Sequence, residues 1–136
     1  MKAVLDTGVF ISALINGAGY PYRSIELWTD KRFELITSEW QLSELRAVSR
    51  YPHLTERISA HRAGALINRL RNKAAVLTDL PRIELSPDPD DNPLLAIAVE
   101  GQAQYLVSND KAHVLSLGEV KGIPVVTVRA FVELLE

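Results

Sequence analysis

The chain contains no cysteine. Disulfide bridges and thiolate-held metal centres are therefore excluded, and the composition fits a reducing compartment, with the cytoplasm as the expected location. Long apolar runs are also missing. The first, Ala3-Val4-Leu5, is broken at once by Asp6, and no uncharged stretch later in the chain approaches the roughly 18 residues of a membrane-spanning segment. Neither a secretory leader nor a membrane anchor is expected. Aromatic side chains make up only 7% of the residues, and the basic middle segment has just Tyr51, which argues against base stacking there. Repeats and low-complexity segments do not occur.

What is present is enough for one domain, 1–136. At 136 residues, with 47% hydrophobic and 24% charged side chains, the chain can bury a core of its own and reads as a soluble globular protein. The net charge of −2 hides an asymmetry. Residues 45–78 carry seven basic and one acidic side chain, whereas residues 79–136 carry four basic and ten acidic. An acidic part beside a basic part suits a cation site next to a polyanion, although solvated faces would look the same.

Short, continuously apolar strands alternate with helical segments. Strands are expected at Val4–Leu5, Phe33–Thr37, Ala75–Leu77, Tyr105–Ser108 and Pro124–Thr127. Helices are expected at Thr7–Ile15, Tyr22–Asp30, Ser38 to Arg50, Leu54–Ser59, Ala60–Lys73, Asn92 to Gly101, Lys111–Ser116 and Ala130–Leu135. Strands with no polar face imply burial on both sides, hence an α/β/α sandwich around a central parallel sheet.

Four acids fall where such a sheet binds ligands, outside the carboxyl ends of its strands. Asp6 ends the first strand and turns directly into a helix. Asp110 follows the strand Tyr105–Ser108 in the same way. Asp91, in SPDPDDNP, stands at a helix start, where the helix dipole favours its ionised form. Each alone reads equally well as a helix cap. Glu44 differs. Stepped at about 100° per residue, it falls about 40° from Trp40, inside an arc with Tyr51, Val48, Leu45 and Ala47, while Glu39 lies on the polar side. A carboxylate aimed at the core needs a partner or a metal. Clustered carboxylates repel unless a cation neutralises them, and an all-oxygen set with open positions suits Mg²⁺ or Mn²⁺. Such a site can activate water against a phosphodiester. On the helix Ala60–Lys73, Arg62, Arg69 and Lys73 lie within about 40° of one another and could contact phosphates, or simply form a solvated face.

These residues carry a resemblance. VLDTGVFISAL at Val4–Leu14, SELRAV at Ser43–Val48 and DPDDNPLLAIAVEGQAQYLVSNDK at Asp88–Lys111 resemble, in order and spacing, the PIN-domain ribonucleases of the short bacterial and archaeal type often found as the toxin of a toxin–antitoxin pair. The resemblance spans essentially the whole chain. It implies a Rossmann-like fold, Mg²⁺- or Mn²⁺-dependent endonucleolytic cleavage of RNA, frequent homodimers and an antitoxin partner. It places the acidic site on Asp6, Glu44, Asp91 and Asp110, with Asp6, Asp91 and Asp110 as metal ligands. Two positions depart from the pattern. Gly8 stands where the family usually has asparagine or another small polar residue, and Ala112, followed by His113, stands where a further acid is common. A catalytically weakened domain serving as an RNA- or protein-binding module is the alternative. A haloacid-dehalogenase-type phosphatase would need a second aspartate at Gly8. A phosphoacceptor receiver domain would need an early acidic pair, which is missing.

Overall fold

The sheet is organised around β1 (Lys2–Leu5), which the computed structural model, describing residues 1–136, places near its centre. The remaining strands are β2 (Glu34–Ser38), β3 (Ala75–Leu77), β4 (Tyr105–Val107), β5 (Glu119–Val120) and β6 (Ile123–Val126). The order is β3-β2-β1-β4-β6-β5. All pairings are parallel except β5 with β6. Strand order reverses between β1 and β4, whose register pairs Leu5 with Val107. The crevice beyond that pair is the topological switch point of the sheet.

Six helices complete the fold: α1 (Thr7–Ile15), α2 (Tyr20–Thr29), α3 (Glu39–Ser49), α4 (Ala60–Lys73), α5 (Asn92–Glu100) and α6 (Val128–Leu135). Three start on hydroxyl caps: the side chains of Ser38, Ser59 and Thr127 accept from the backbone N–H of Gln41, Arg62 and Ala130. Alternation along the strands splits the core in two. Ala3, Leu5, Leu35 and Val107 face a large cluster filled by α1, α2, α3, α4 and α6, whereas Val4, Ile36, Leu106 and Val125 face a smaller one covered mainly by α5, with Trp40 of α3 packed against it. The sandwich is therefore much thinner on one side. On that side α5 ends against the sheet: a Cβ at Gly101 would stand 2.8 Å from the Ile36 side chain, so only glycine allows this approach.

The expected α/β/α architecture is present, with three local differences. Leu54–Ser59 forms consecutive turns rather than a helix; its two apolar residues, Leu54 and Ile58, are simply buried as anchors. Lys111–Ser116 is likewise not a helix. A segment this short cannot offset helix nucleation, and only a single 3₁₀ turn forms, at Leu115–Leu117. Finally, β5 was not expected. It closes a hairpin with β6 through Lys121 and Gly122, both at positive φ (47° and 82°), the backbone of a tight turn that matches strand twist.

Candidate active site

Asp6 leaves the carboxyl end of β1, and its backbone N–H donates to Val107 O at 2.8 Å, extending the β1–β4 pairing by one residue. Across from it, fully buried Ser108 donates its hydroxyl to Asp6 Oδ2 at 2.7 Å. Ser108 Oγ in turn accepts from the backbone N–H of Asp110 at 3.0 Å. One serine thus fixes the Asp6 carboxylate and the turn that carries Asp110. A second buried polar residue, Gln41, supports the corner from the other flank. Its amide donates to Leu5 O at 2.7 Å, and its carbonyl oxygen accepts from the Thr37 hydroxyl at 2.6 Å. Asn109 accepts from the Val128 N–H at 3.1 Å and so ties the β4 corner to the start of α6.

Asp6, Glu44 and Asp110 line one cleft of about 400 Å³, together with Thr7, Gly8 and Asn109. Glu44 arrives from α3 at the border of the buried stripe rather than in its middle. The buried residues of α3 are Gln41, Leu42, Leu45 and Ser49, while Ala47 and Tyr51, expected inside, are exposed. Its neighbour Glu39 is at the surface and pairs with Arg71. Asp91 occupies an adjoining depression with Ser86, Asp88, Ala112 and His113. There the Ser86 hydroxyl donates to Asp91 Oδ2 at 3.2 Å. His113 joins the two hollows. Its Nδ1 lies 3.1 Å from Asp110 and its Nε2 3.9 Å from Asp88. It is exposed, as are His53 and His61.

The electrostatics follow from this crowding. Burial pushes the Asp6 carboxyl above its ordinary range, and the Asp110 charge adds to the rise, against the hydrogen bond from Ser108. Burial also raises Glu44, with Asp6, Asp90 and Asp91 contributing. Asp91 is raised by burial and by Asp88 and Asp110. His113 is raised by its bond to Asp110. Asp6, Glu44 and Asp91 have no lysine or arginine within 4.0 Å. Desolvated carboxylates with His113 as their one basic neighbour fit a hard divalent cation with water completing its shell. As the side chains stand, no three acids or histidines are close enough to hold one ion.

The profile of the PIN domain matches residues 2–112. The chain belongs to the PIN domain family. It is also 28% identical over 112 residues, 82% of its own length and 72% of the relative's, to the uncharacterised protein MJ1680 of Methanocaldococcus jannaschii. In fold it is similar to a chain of VapBC2 from Rickettsia felis, solved bound to a DNA fragment from their promoter. The TM-score is 0.61 at 14% identity, covering 93% of this chain and 98% of that one.

Within this PIN domain the three basic residues do not share the acidic cleft. Arg69 and Lys73 line a cavity of about 990 Å³ at the opposite edge of the sheet, beside Lys2 and Glu34, where the strands begin. Lys2 and Asp6 are separated by the length of β1, roughly 13 Å. Arg69 is already engaged: its guanidinium lies over the Trp28 ring, 5.3 Å from the centroid, and bonds Thr29. Arg62 sits at the other end of α4, in its first turn. The helical phase is right, but α4, about 21 Å long, carries the line away from the cleft. Gly8 lines the cleft wall, and a Cβ there would meet nothing within 4 Å, so the departure from the family pattern leaves an opening rather than a clash. Sequence reasoning missed Ser108, Gln41 and Ser86. A hydroxyl one residue past a buried strand is weak evidence alone; only the β1–β4 pairing shows what it touches.

No helix of the fold is long and apolar enough to cross a membrane.

Proposed function

We propose that this PIN domain is a Mg²⁺- or Mn²⁺-dependent endoribonuclease that hydrolyses phosphodiester bonds in RNA, and that it is the toxin of a toxin–antitoxin pair. The observation that carries the reading is the cleft at the β1/β4 switch point, where Asp6, Glu44 and Asp110 meet with no basic side chain among the lining residues. Asp6, Asp91 and Asp110 would hold the cation, which when bound supplies Lewis acidity and makes water nucleophilic near neutral pH. Ser108 orients the Asp6 oxygen toward one side, leaving the other for the cation. Glu44, raised above the ordinary carboxylate range by burial and acidic neighbours, is suited to accept the proton of the attacking water at a carboxylate oxygen. Arg62, Arg69 and Lys73 would touch only RNA that runs on along α4. An antitoxin partner, a homodimer and action in the cytoplasm belong to the same proposal, the first of them supported by the likeness in fold to a chain of VapBC2.

The test is RNA cleavage with Mg²⁺ or Mn²⁺ and with EDTA. Cleavage is expected only with the metal, and neither Asp6→Asn nor Asp91→Asn should cut. Full activity in EDTA would overturn the mechanism. A second reading, a binding module that has lost catalysis, is favoured by the spacing of the acids, no three of which stand ready to share an ion, and by the gap at Gly8. RNA binding without cleavage in Mn²⁺ would establish it.

A further inference from the structure

Trp40, Glu44 and Val48 follow one another at i, i+4 and i+8 along α3, a single line of half-buried side chains. Glu44 and Val48 line the acidic cleft. Trp40, one turn earlier and about 6 Å away along the helix, lines a different groove of about 680 Å³ with Arg82, Ser86, Pro89, Asn92 and Pro93. The groove shares Ser86 with the depression that holds Asp91, Ser86 donates to Asp91, and the Asp91 charge is felt at Glu44 of the cleft. We propose that this groove is a base-binding subsite, in which Trp40 stacks on a nucleobase of the RNA next to the phosphate held at the acidic cleft. The proposal rests on the nuclease reading of that cleft.

The groove's chemistry fits a nucleobase. The indole packs one part against the smaller core and leaves the rest on the groove wall, and Pro89 and Pro93 also line it. An aromatic face accepts any base, which suits a single-stranded substrate. Asn92 Oδ1 accepts from the N–H groups of Leu85 and Ser86 at 3.2 and 3.0 Å. That fixes the amide's orientation and leaves its NH₂ as a donor toward the edge of a bound base. Arg82 is the one cation on the groove wall. Its side chain is 92% exposed and lies 4.0 Å from Glu84, which also lines the groove, a solvated pair that a phosphate of the same nucleotide can displace. A groove of this volume lies within the range of sites that hold small organic groups.

The test uses intrinsic fluorescence. The chain has two tryptophans, so Trp28→Phe leaves Trp40 as the only indole, and Asp6→Asn in the same protein keeps the RNA uncut. With Mn²⁺ and a short single-stranded oligoribonucleotide of mixed sequence, Trp40 emission should be quenched in step with binding followed by anisotropy. Trp40→Leu should weaken binding about 5-fold or more without changing its salt dependence, since stacking and not a phosphate contact is lost. Trp40→Phe, which keeps a ring and the fold, should fall between. Bound RNA with unaltered Trp40 emission, or equal affinity in the Phe and Leu variants, would overturn the subsite and give the groove to a protein segment, leaving the nuclease reading intact. Quenching by RNA in a protein whose wild type never cuts would overturn the nuclease reading and keep the groove as an RNA site.

Discussion

Ser108→Ala tests whether the corner between β1 and β4 is held as the structure implies. The substitution removes a 2.7 Å hydrogen bond to the Asp6 carboxylate and the acceptor of a 3.0 Å bond from the Asp110 N–H, at a fully buried position. A bond to a charged group contributes roughly 1.5–3 kcal/mol, and the backbone bond about 1 kcal/mol more. The Asp110 N–H, near solvent, recovers part of its share from water. A net loss of about 2–3 kcal/mol is expected, or about 6–10 °C in melting temperature for a domain of this size. Thermal melts at pH 8, with EDTA, would measure it. The charge makes the case specific. In an Asp6→Asn background the same change should cost only the neutral bonds, so the two substitutions should couple by about 1 kcal/mol in a double-mutant cycle. Because Ser108 holds the Asp6 pKa down, its loss should also move the Asp6 carboxyl titration, read by carbon NMR, to higher pH. A melting temperature unchanged within a degree, or equal costs in both backgrounds, would refute the clamp.

Other outcomes follow from the same geometry. Asp6, Glu44 and Asp91 have folded pKa values above their ordinary 3.8, 4.5 and 3.8, so the metal-free folded state binds more protons than the unfolded chain just above those values. Stability should therefore fall as pH rises through that window. His113, raised above 6.5, extends the fall through neutrality, because a histidine held charged by Asp110 loses that contribution on deprotonation. Melts from pH 5 to 8 should show this slope, and a rising or flat curve would contradict it. Mg²⁺ at about a hundred times its Kd should raise stability near pH 7 by about 2.7 kcal/mol, and Asp110→Asn, stabilised without metal by relief of repulsion, should gain less. Glu44→Gln should abolish cleavage and stay folded, whereas Glu39→Gln breaks only a surface pair with Arg71 worth at most about 1 kcal/mol and should leave both cleavage and folding intact; activity in the Glu44 variant would remove it from the chemistry. Replacing Arg62, Arg69 and Lys73 by alanine should lower the salt slope of binding by about 0.7 per lost phosphate contact for a long RNA, and not at all for an oligonucleotide that fills only the cleft. An unchanged slope for both would make them a solvated helix face.

Some of this protein is readable from local pattern alone. Asp6 breaks an apolar run at the end of a strand, Asp110 closely follows an apolar strand and Asp91 stands at a helix start, each a property of a few neighbouring residues. The same is true of the strands that carry no polar face, and hence of the α/β layering. Glu44 is half legible. A helical wheel puts it near the apolar arc, but which part of that arc is covered depends on where α1 and the sheet lie, and the structure moves the buried centre to Gln41, Leu42 and Leu45.

What only the tertiary structure decided are matters of pairing and direction. Ser108 reaches Asp6 across 102 residues of chain, and Gln41 reaches Leu5 O across 36, because β1 lies between β2 and β4; no local signal encodes that neighbourhood. The two faces of the sheet look alike in sequence, yet five helices fill one cluster and mainly α5 covers the other. Arg62 and Lys73 share a helix face, and periodicity finds it. Periodicity says nothing about which end of the helix meets the carboxyl edge of the sheet, so the line runs from one end of α4 to the other, with Arg69 and Lys73 where the strands begin. Local chemistry is written in spacing along the chain, whereas the assembly of a site depends on which strands become neighbours, and that is decided by burial summed over the whole fold.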